Sequence, residues 1–441
     1  MTSTLQALEA QWIIQYTAPY ALENHSLIIA GETIHDILPT ESAREKYPDI
    51  ERITLDQHAL IPGFINTHNH AAMTLFRGMA DDLPLMTWLN EHIWPAEGQW
   101  VSHAFVKDGT ELAIAEMLLS GTTTFSDMYF FPEAAAEVIE TSGIKAQLCT
   151  PILEFPTNWG SGPEEYIEKT RKLLAQYSEH PRITIAAGPH APYTVSDNTF
   201  KECIKLQQET GCAIQVHLHE TQFEVDEAEK EHNSRPVARL NQLGALNHNT
   251  QCVHMTALND DDIKMVAESG AHIVHCPESN LKLASGFAPI NKAQAKNINI
   301  SLGTDGAASN NDLDMLSELR TAAMLAKAVD SDATALSAIE ALKAATINGA
   351  KALNIDSRTG SLEQGKLADI IAIDLSHLHC QPVYDPISQI VYTARSDQIT
   401  NVWSEGNLLV RDRQLTRMDT REILQKANNW KEQIQASRSA S

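Results

Sequence analysis

The chain has 441 residues, 43% of them hydrophobic and 20% charged, and its 57 acids outnumber its 33 bases for a formal charge of −24. That length suits two or three domains with a large core, and that charge excludes a basic phosphate-binding face for nucleic acid and disfavours an anionic membrane surface. The ligand to expect is a small neutral or cationic molecule, since a local site can differ from the global field.

The N-terminal run MTSTLQALEAQW has neither a basic lead nor an apolar core segment, so no signal peptide is expected. Nowhere does an apolar stretch approach the roughly 18 residues of a membrane helix. Residues 11–58 hold short alternating runs, QWIIQYT, HSLIIAGETIHDI and RITLDQHAL, with turns at Ala30-Gly31 and around Pro39. From residue 59 onward, short β-type runs alternate with helical ones. Strands are predicted at 59–70, 121–128, 144–153, 183–193, 213–220, 250–256, 271–279 and 298–307. Segments between them, such as FVKDGTELAIAEMLLS and PEEYIEKTRKLLAQYSEH, repeat apolar residues at three and four, as helices do. Eight strands alternating with helices point to an α/β fold, a (β/α)8 TIM barrel. Residues 359–415 return to the β-rich pattern, with a hairpin turn expected at Gly406-Asn407. The two β-rich ends can pair into one small sheet, because chain termini often lie close together. The expected domains are 1–60 plus 359–415, a barrel over 61–358, and a C-terminal helix with a frayed polar tail over 416–441. Six scattered cysteines without a CxxC pair fit reduced thiols in a cytoplasm.

Alternate residues of a strand face one side. His68 and His70 therefore point together, at the end of the first barrel strand. That pair alone is as readily structural as metal-binding. The later strand ends change the balance: strand five ends in His217, His219 and Glu220, strand six in His254, and strand eight in Asp305. Parallel barrel strands deliver their C-terminal ends to one face, where catalytic residues of such barrels sit. Buried charges are costly unless paired or bound to metal. Jointly these residues predict a metal site.

The matching text goes further: PGFINTHNHAAMTLFRGMADDLPLMTWLNEHIWPAE, GTTTFSDMY, GPHAPYT, VHLHET, CVHM, HCPESNLKLASG, LGTDGAASNNDLDM and GSLEQGKLADIIAID. From about residue 12 to residue 415 the chain resembles the amidohydrolase superfamily. Within it, the resemblance is to the 5-methylthioadenosine and S-adenosylhomocysteine deaminases, close to the chlorohydrolase-like group. It implies a distorted barrel with a β-sandwich built from both chain ends. It also implies one divalent ion, zinc first, with iron or manganese also accepted by this ligand set, held by His68, His70, His217 and Asp305. Such an ion lowers the pKa of a bound water toward neutrality. By the same resemblance, Glu220 shuttles a proton to a ring nitrogen, His254 orients the attacking oxygen, and Asp305 both ligates and accepts a proton. Glu97 would grip the two ribose hydroxyls and Trp88 would pack near the purine. His190 would touch substrate, and Ser309 would hydrogen-bond the purine edge. His219 is divided between supporting the site and packing. Lysine is missing from strands three and four near their C-terminal ends, which favours one metal over a lysine-bridged pair; Glu154 is a minor candidate bridge.

The implied reaction is hydrolytic deamination of an adenine ring, giving the inosine analogue and ammonia. Between Pro151 and Thr170 there is no arginine to meet an amino-acid carboxylate, and Phe155, Pro156 and Trp159 offer apolar surface. That favours 5-methylthioadenosine over S-adenosylhomocysteine. The competing readings are a guanine- or triazine-type hydrolase, a cyclic amide hydrolase, and a non-catalytic barrel. A homo-oligomer is expected from the resemblance, and the segment 77–97 is a candidate lid.

Overall fold

The computed structural model describes residues 5–440. Met1–Thr4, the start of the N-terminal run and of the first expected domain, and Ser441, the end of the predicted tail, lie outside the described residues.

In chain order, the first four strands are β1 (Leu5–Ile14), β2 (Ala21–Ala30), β3 (Thr33–Pro39) and β4 (Glu51–Pro62). Eight follow: β5 (Phe64–Asn69), β6 (Thr122–Met128), β7 (Lys145–Ile152), β8 (Ile183–Pro189), β9 (Ile214–Leu218), β10 (Thr250–His254), β11 (His272–His275) and β12 (Ile300–Leu302). The last four are β13 (Ile370–Asp374), β14 (Ile399–Ser404), β15 (Asn407–Arg411) and β16 (Gln414–Leu415).

Strands β5 to β12 pair in parallel in sequence order and form the barrel wall. Between β12 and β5 the closure runs through side chains and single bonds. Thr67 Oγ1 donates to the Leu302 carbonyl at 2.8 Å, Asp305 N to the His68 carbonyl at 3.0 Å, and Asn66 Nδ2 to Thr304 Oγ1 at 2.8 Å. Gly303 permits this approach, because a Cβ there would sit 2.7 Å from His68 N. The predicted run 59–70 divides at Gly63 into β4 and β5, so one apolar stretch serves both sheets. A Cβ at Gly63 would meet Thr123 Oγ1 at 2.3 Å.

Both chain ends build one mixed sheet in the order β16-β15-β14-β13-β4-β1-β2-β3. The sandwich implied by the resemblance is built on this one continuous sheet, in which long β4 pairs with β1 on one side and β13 on the other. Leu8, Leu27 and Ile34 from one half share a buried cluster with Ile370, Ala372 and Trp403 from the other. The predicted hairpin turn shifts by one residue. Ser404 pairs with Asn407, and Glu405 and Gly406 take the central positions with φ 50° and 72°, the left-handed values such a two-residue turn demands.

A buried ion pair ties the base of the barrel to this sheet. Lys145 Nζ donates to Asp369 Oδ1 at 2.6 Å and to Ser404 Oγ at 2.9 Å, and Glu405 N donates to the same carboxylate oxygen at 2.9 Å. Thr359 donates to its other oxygen. The C-terminal helix, Thr420–Ala440, is capped by Asp419. It docks on helix His103–Leu119 through Trp430, whose Nε1 donates to Asp108 at 2.9 Å. All six cysteines are buried and free. No helix among the described residues is long and apolar enough to cross a membrane.

Candidate active site

The C-terminal ends of β5, β9, β10 and β12 bring His68, His70, His217, His254 and Asp305 to one place. His68 and His217 lie within their strands, His254 ends β10, His70 follows Asn69, and Asp305 lies just beyond β12. His68 Nε2 is 3.2 Å from His217 Nε2 and 3.5 Å from Asp305 Oδ1, and His70 Nε2 is 3.3 Å from the same oxygen. The ligand atoms of His68, His217 and His254 lie within 4.8 Å of one another, and so do those of His68, His70 and Asp305.

Each imidazole is held from behind. His70 Nδ1 donates to the Met128 carbonyl at 2.6 Å and His217 Nδ1 to the His190 carbonyl at 2.7 Å. His68 Nδ1 faces Gln215 Oε1 at 2.8 Å, and His254 Nδ1 faces Asn280 Oδ1 at 2.9 Å. The Gln215 amide nitrogen donates to the Thr67 carbonyl at 3.0 Å, which assigns its oxygen to His68. With the proton on Nδ1, every neutral ring presents a bare Nε2 to the centre. Two such lone pairs 3.2 Å apart repel each other unless a cation lies between them. Tetrahedral ligands about 2.0–2.1 Å from zinc are themselves about 3.3 Å apart. The residues present therefore fit a divalent cation.

Asp305 contributes one oxygen to the centre and spends the other on the protein. Its Oδ2 accepts from Ser279 Oγ at 2.6 Å and Ser309 Oγ at 2.9 Å. Burial resists its ionisation, but His68 and His70 hold its pKa well below the usual carboxylate range. Burial lowers the pKa of His68, His217 and His254, while Asp305 raises that of His70 to about 9 against the cost of burial. Glu220 is buried beside this group, with Oε2 3.9 Å from His254 Nε2 and Oε1 accepting from Ser285 Oγ at 3.3 Å. Burial and the Asp305 charge push its pKa up to about 8. His219, His254 and Asp305 all have left-handed backbone, at φ 53°, 75° and 62°. Three non-glycine residues in that region at one face are the kind of local strain that clusters at functional sites.

The centre opens into a cavity of about 1150 Å³, its open mouth included. It is lined by the segment running through Leu85, Trp88, Leu89, Ile93, Trp94 and Glu97, and by Tyr129, Leu153, Phe155, Pro156 and Tyr193. No lysine or arginine lines it among the described residues. Burial raises the pKa of Glu97 to about 7, with the Tyr129 hydroxyl and His70 opposing that rise.

Comparison with known proteins adds a family and relatives. The family model described as "Amidohydrolase family" matches residues 59–409. The chain belongs to the amidohydrolase family. It is 49% identical over 439 residues to the 5-methylthioadenosine/S-adenosylhomocysteine deaminase of Teredinibacter turnerae, with 99% of each chain covered. It is 50% identical to the protein of that name from Saccharophagus degradans, covering 98% of this chain and 97% of the relative. A solved structure of an adenosine deaminase from Xanthomonas campestris with bound zinc superposes with a TM-score of 0.95 at 44% identity, covering 98% of each chain.

This amidohydrolase places most of the residues singled out in its sequence around the cavity: His70, Trp88, Glu97, His190, His217, Glu220, His254 and Asp305 line it, and His68 stands behind. His190 Nδ1 is 3.0 Å from Thr194 Oγ1, and burial lowers its pKa to about 3. Ser309 stands elsewhere, off the cavity lining and against Asp305. His219 turns away at its left-handed φ; its Nδ1 meets the Ala257 carbonyl at 3.0 Å and its Nε2 accepts from Val237 N at 3.1 Å. Trp159 supplies no wall. It stacks on Tyr166 at 5.7 Å and points Nε1 at Glu133. Glu154 accepts from Ser196 N at 2.8 Å and from Thr199 Oγ1 at 2.6 Å, at the start of the helix Asp197–Thr210 and away from the centre. Missed in the sequence were Gln215, Ser279, Asn280 and Tyr129. Gln215 lies two residues before His217 on the same strand, and Ser279 and Asn280 sit in HCPESNLKLASG, just after the seventh barrel strand.

Proposed function

We propose that this amidohydrolase is a metal-dependent deaminase of 5-methylthioadenosine, with S-adenosylhomocysteine and adenosine as further nucleoside substrates, yielding the inosine analogue and ammonia. What carries this reading is one cavity lined both by Glu220 and the imidazole–Asp305 cluster and by Glu97. That gives a place for hydrolysis at a ring carbon and a place for a sugar. Two relatives of nearly full-length similarity bear the matching name.

His68, His70, His217 and Asp305 would hold one divalent cation, zinc first. A bound cation supplies Lewis acidity and brings the pKa of a bound water toward neutrality. Glu220 takes a proton from the attacking water and delivers it to the ring nitrogen beside the amino-bearing carbon. His254 orients the water through Nε2, which its Asn280 contact leaves free. Asp305 accepts the second proton as the tetrahedral carbon collapses and passes it to the amino group, which departs as ammonia. Glu97 accepts from both hydroxyls of the ribose diol. Trp88 packs near the purine and His190 contacts it. Ser309 acts through Asp305, whose second oxygen it occupies.

The wall of Leu153, Phe155 and Pro156 and the missing cationic side chains favour a short apolar thioether over a charged amino-acid tail. The barrel over 61–358 carries the chemistry, the β-rich ends support it, and the location is cytoplasmic, as a homo-oligomer. Adenine nucleosides screened by ultraviolet change, with ammonia and bound metal measured on the same sample, test this. The expected result is turnover with a higher kcat/KM for 5-methylthioadenosine than for S-adenosylhomocysteine. A metal-bearing sample that releases no ammonia from any adenine nucleoside overturns the function; the reverse preference overturns the substrate assignment.

A further inference from the structure

Tyr129 follows the end of β6 and lines the cavity while only 4% exposed. Its hydroxyl is buried beside the Glu97 carboxyl, close enough to bond it weakly and to oppose the rise in its pKa, but no protein group meets it in good hydrogen-bonding geometry. The ring itself is well fixed, 5.4 Å from the Phe130 ring and 6.2 Å from that of His70. Packing alone does not require the oxygen, since the next two residues are Phe130 and Phe131 and a phenylalanine would fill the same ring site. Burying a hydroxyl that has no well-aligned partner is costly. A phenol kept at that cost on the wall of a binding cavity is placed for a ligand group. Its pKa is raised well above the ordinary value by burial and by the Glu97 charge, so it stays a neutral O–H. A neutral hydroxyl can both donate and accept. The carboxylate it neighbours can only accept.

We propose that Tyr129 is a specificity-determining residue that reads the sugar diol together with Glu97, a role that rests on the nucleoside reading above. Glu97 accepts from the two vicinal hydroxyls, and the Tyr129 hydroxyl bonds one of the sugar oxygens so presented. An acceptor-only carboxylate leaves those oxygens' own lone pairs unanswered, and the phenol O–H answers one of them.

The test compares wild type and Tyr129→Phe on the parent nucleoside and its 2′-deoxy and 3′-deoxy analogues. Metal content is checked in both. Wild type should prefer the parent over at least one analogue, and Tyr129→Phe should cut kcat/KM for the parent by roughly tenfold or more, mainly through KM, while the analogue lacking the contacted hydroxyl changes little. The Glu97→Gln and Tyr129→Phe losses should also fall short of additivity in the double variant, since both read one diol. Equal losses on all three substrates, or no loss on any, overturn the role of Tyr129 while leaving the deaminase standing. A wild type inactive on every adenine nucleoside overturns the deaminase reading, and this inference with it.

Discussion

The two ends of the barrel both bury charged groups, and they satisfy them in opposite ways. At the base, Lys145 meets Asp369, and Ser404, Thr359 and the Glu405 amide complete the set, so each polar atom has a partner of complementary character. At the mouth, four imidazoles turn their Nδ1 atoms toward protein acceptors and their Nε2 atoms toward each other, with one Asp305 oxygen among them. The base is closed and needs nothing further. The mouth has an excess of electron pairs that a bound cation would resolve. At these two clusters, buried charge marks structure where partners cancel within the chain and marks function where they do not.

That contrast can be broken at either end. His68→Ala removes a ligand at the mouth; we expect loss of bound cation and a fall in kcat of about a thousandfold or more, as several kcal/mol of Lewis-acid stabilisation disappears. Nucleoside kinetics with elemental analysis check it, and a His68→Ala protein that keeps both cation and rate refutes it. Asp369→Ala breaks the base instead. Stranding the buried Lys145 ammonium should lower unfolding free energy by about 3–5 kcal/mol, visible in denaturant melts, while the surviving folded protein keeps its cation and kcat. A smaller effect is expected from Asn280→Ala, which strips the acceptor behind His254 and should reduce kcat by roughly ten- to a hundredfold. Asn280→Asp keeps an acceptor and should retain more activity than the alanine variant.

The same contrast explains which parts of the molecule were legible in the sequence. Barrel strands have a short local signature, a continuous apolar run ended by a turn, and all eight lie within the stretches read for them. Their C-terminal delivery then places His68, His217, His254 and Asp305 without further information. What could not be read depends on single dihedrals and distant closure. His219 follows His217 with strand parity, yet φ 53° at that residue sends its ring into packing, and nothing in the residue type announces the twist. Trp159 belongs to an apolar stretch next to wall residues, but its indole is claimed by Tyr166 and Glu133. The resemblance puts Ser309 on the purine edge; the turn after β12 folds it back onto Asp305 itself. The Lys145–Asp369 pair joins residues 224 positions apart and exists only once both chain ends have met. Tyr129 stands inside the motif GTTTFSDMY with no role legible there, because a hydroxyl without a well-aligned partner can be seen only when its surroundings are known.

The claim that the mouth is a cation site is tested by elemental analysis of the purified, dialysed protein alongside its nucleoside deamination rate before chelation, after chelation and after re-addition of zinc. About one divalent cation per chain, activity lost with the cation and restored with it, is the expected result. A protein that deaminates at full rate with its cation removed, or that binds none when zinc is supplied, would contradict it.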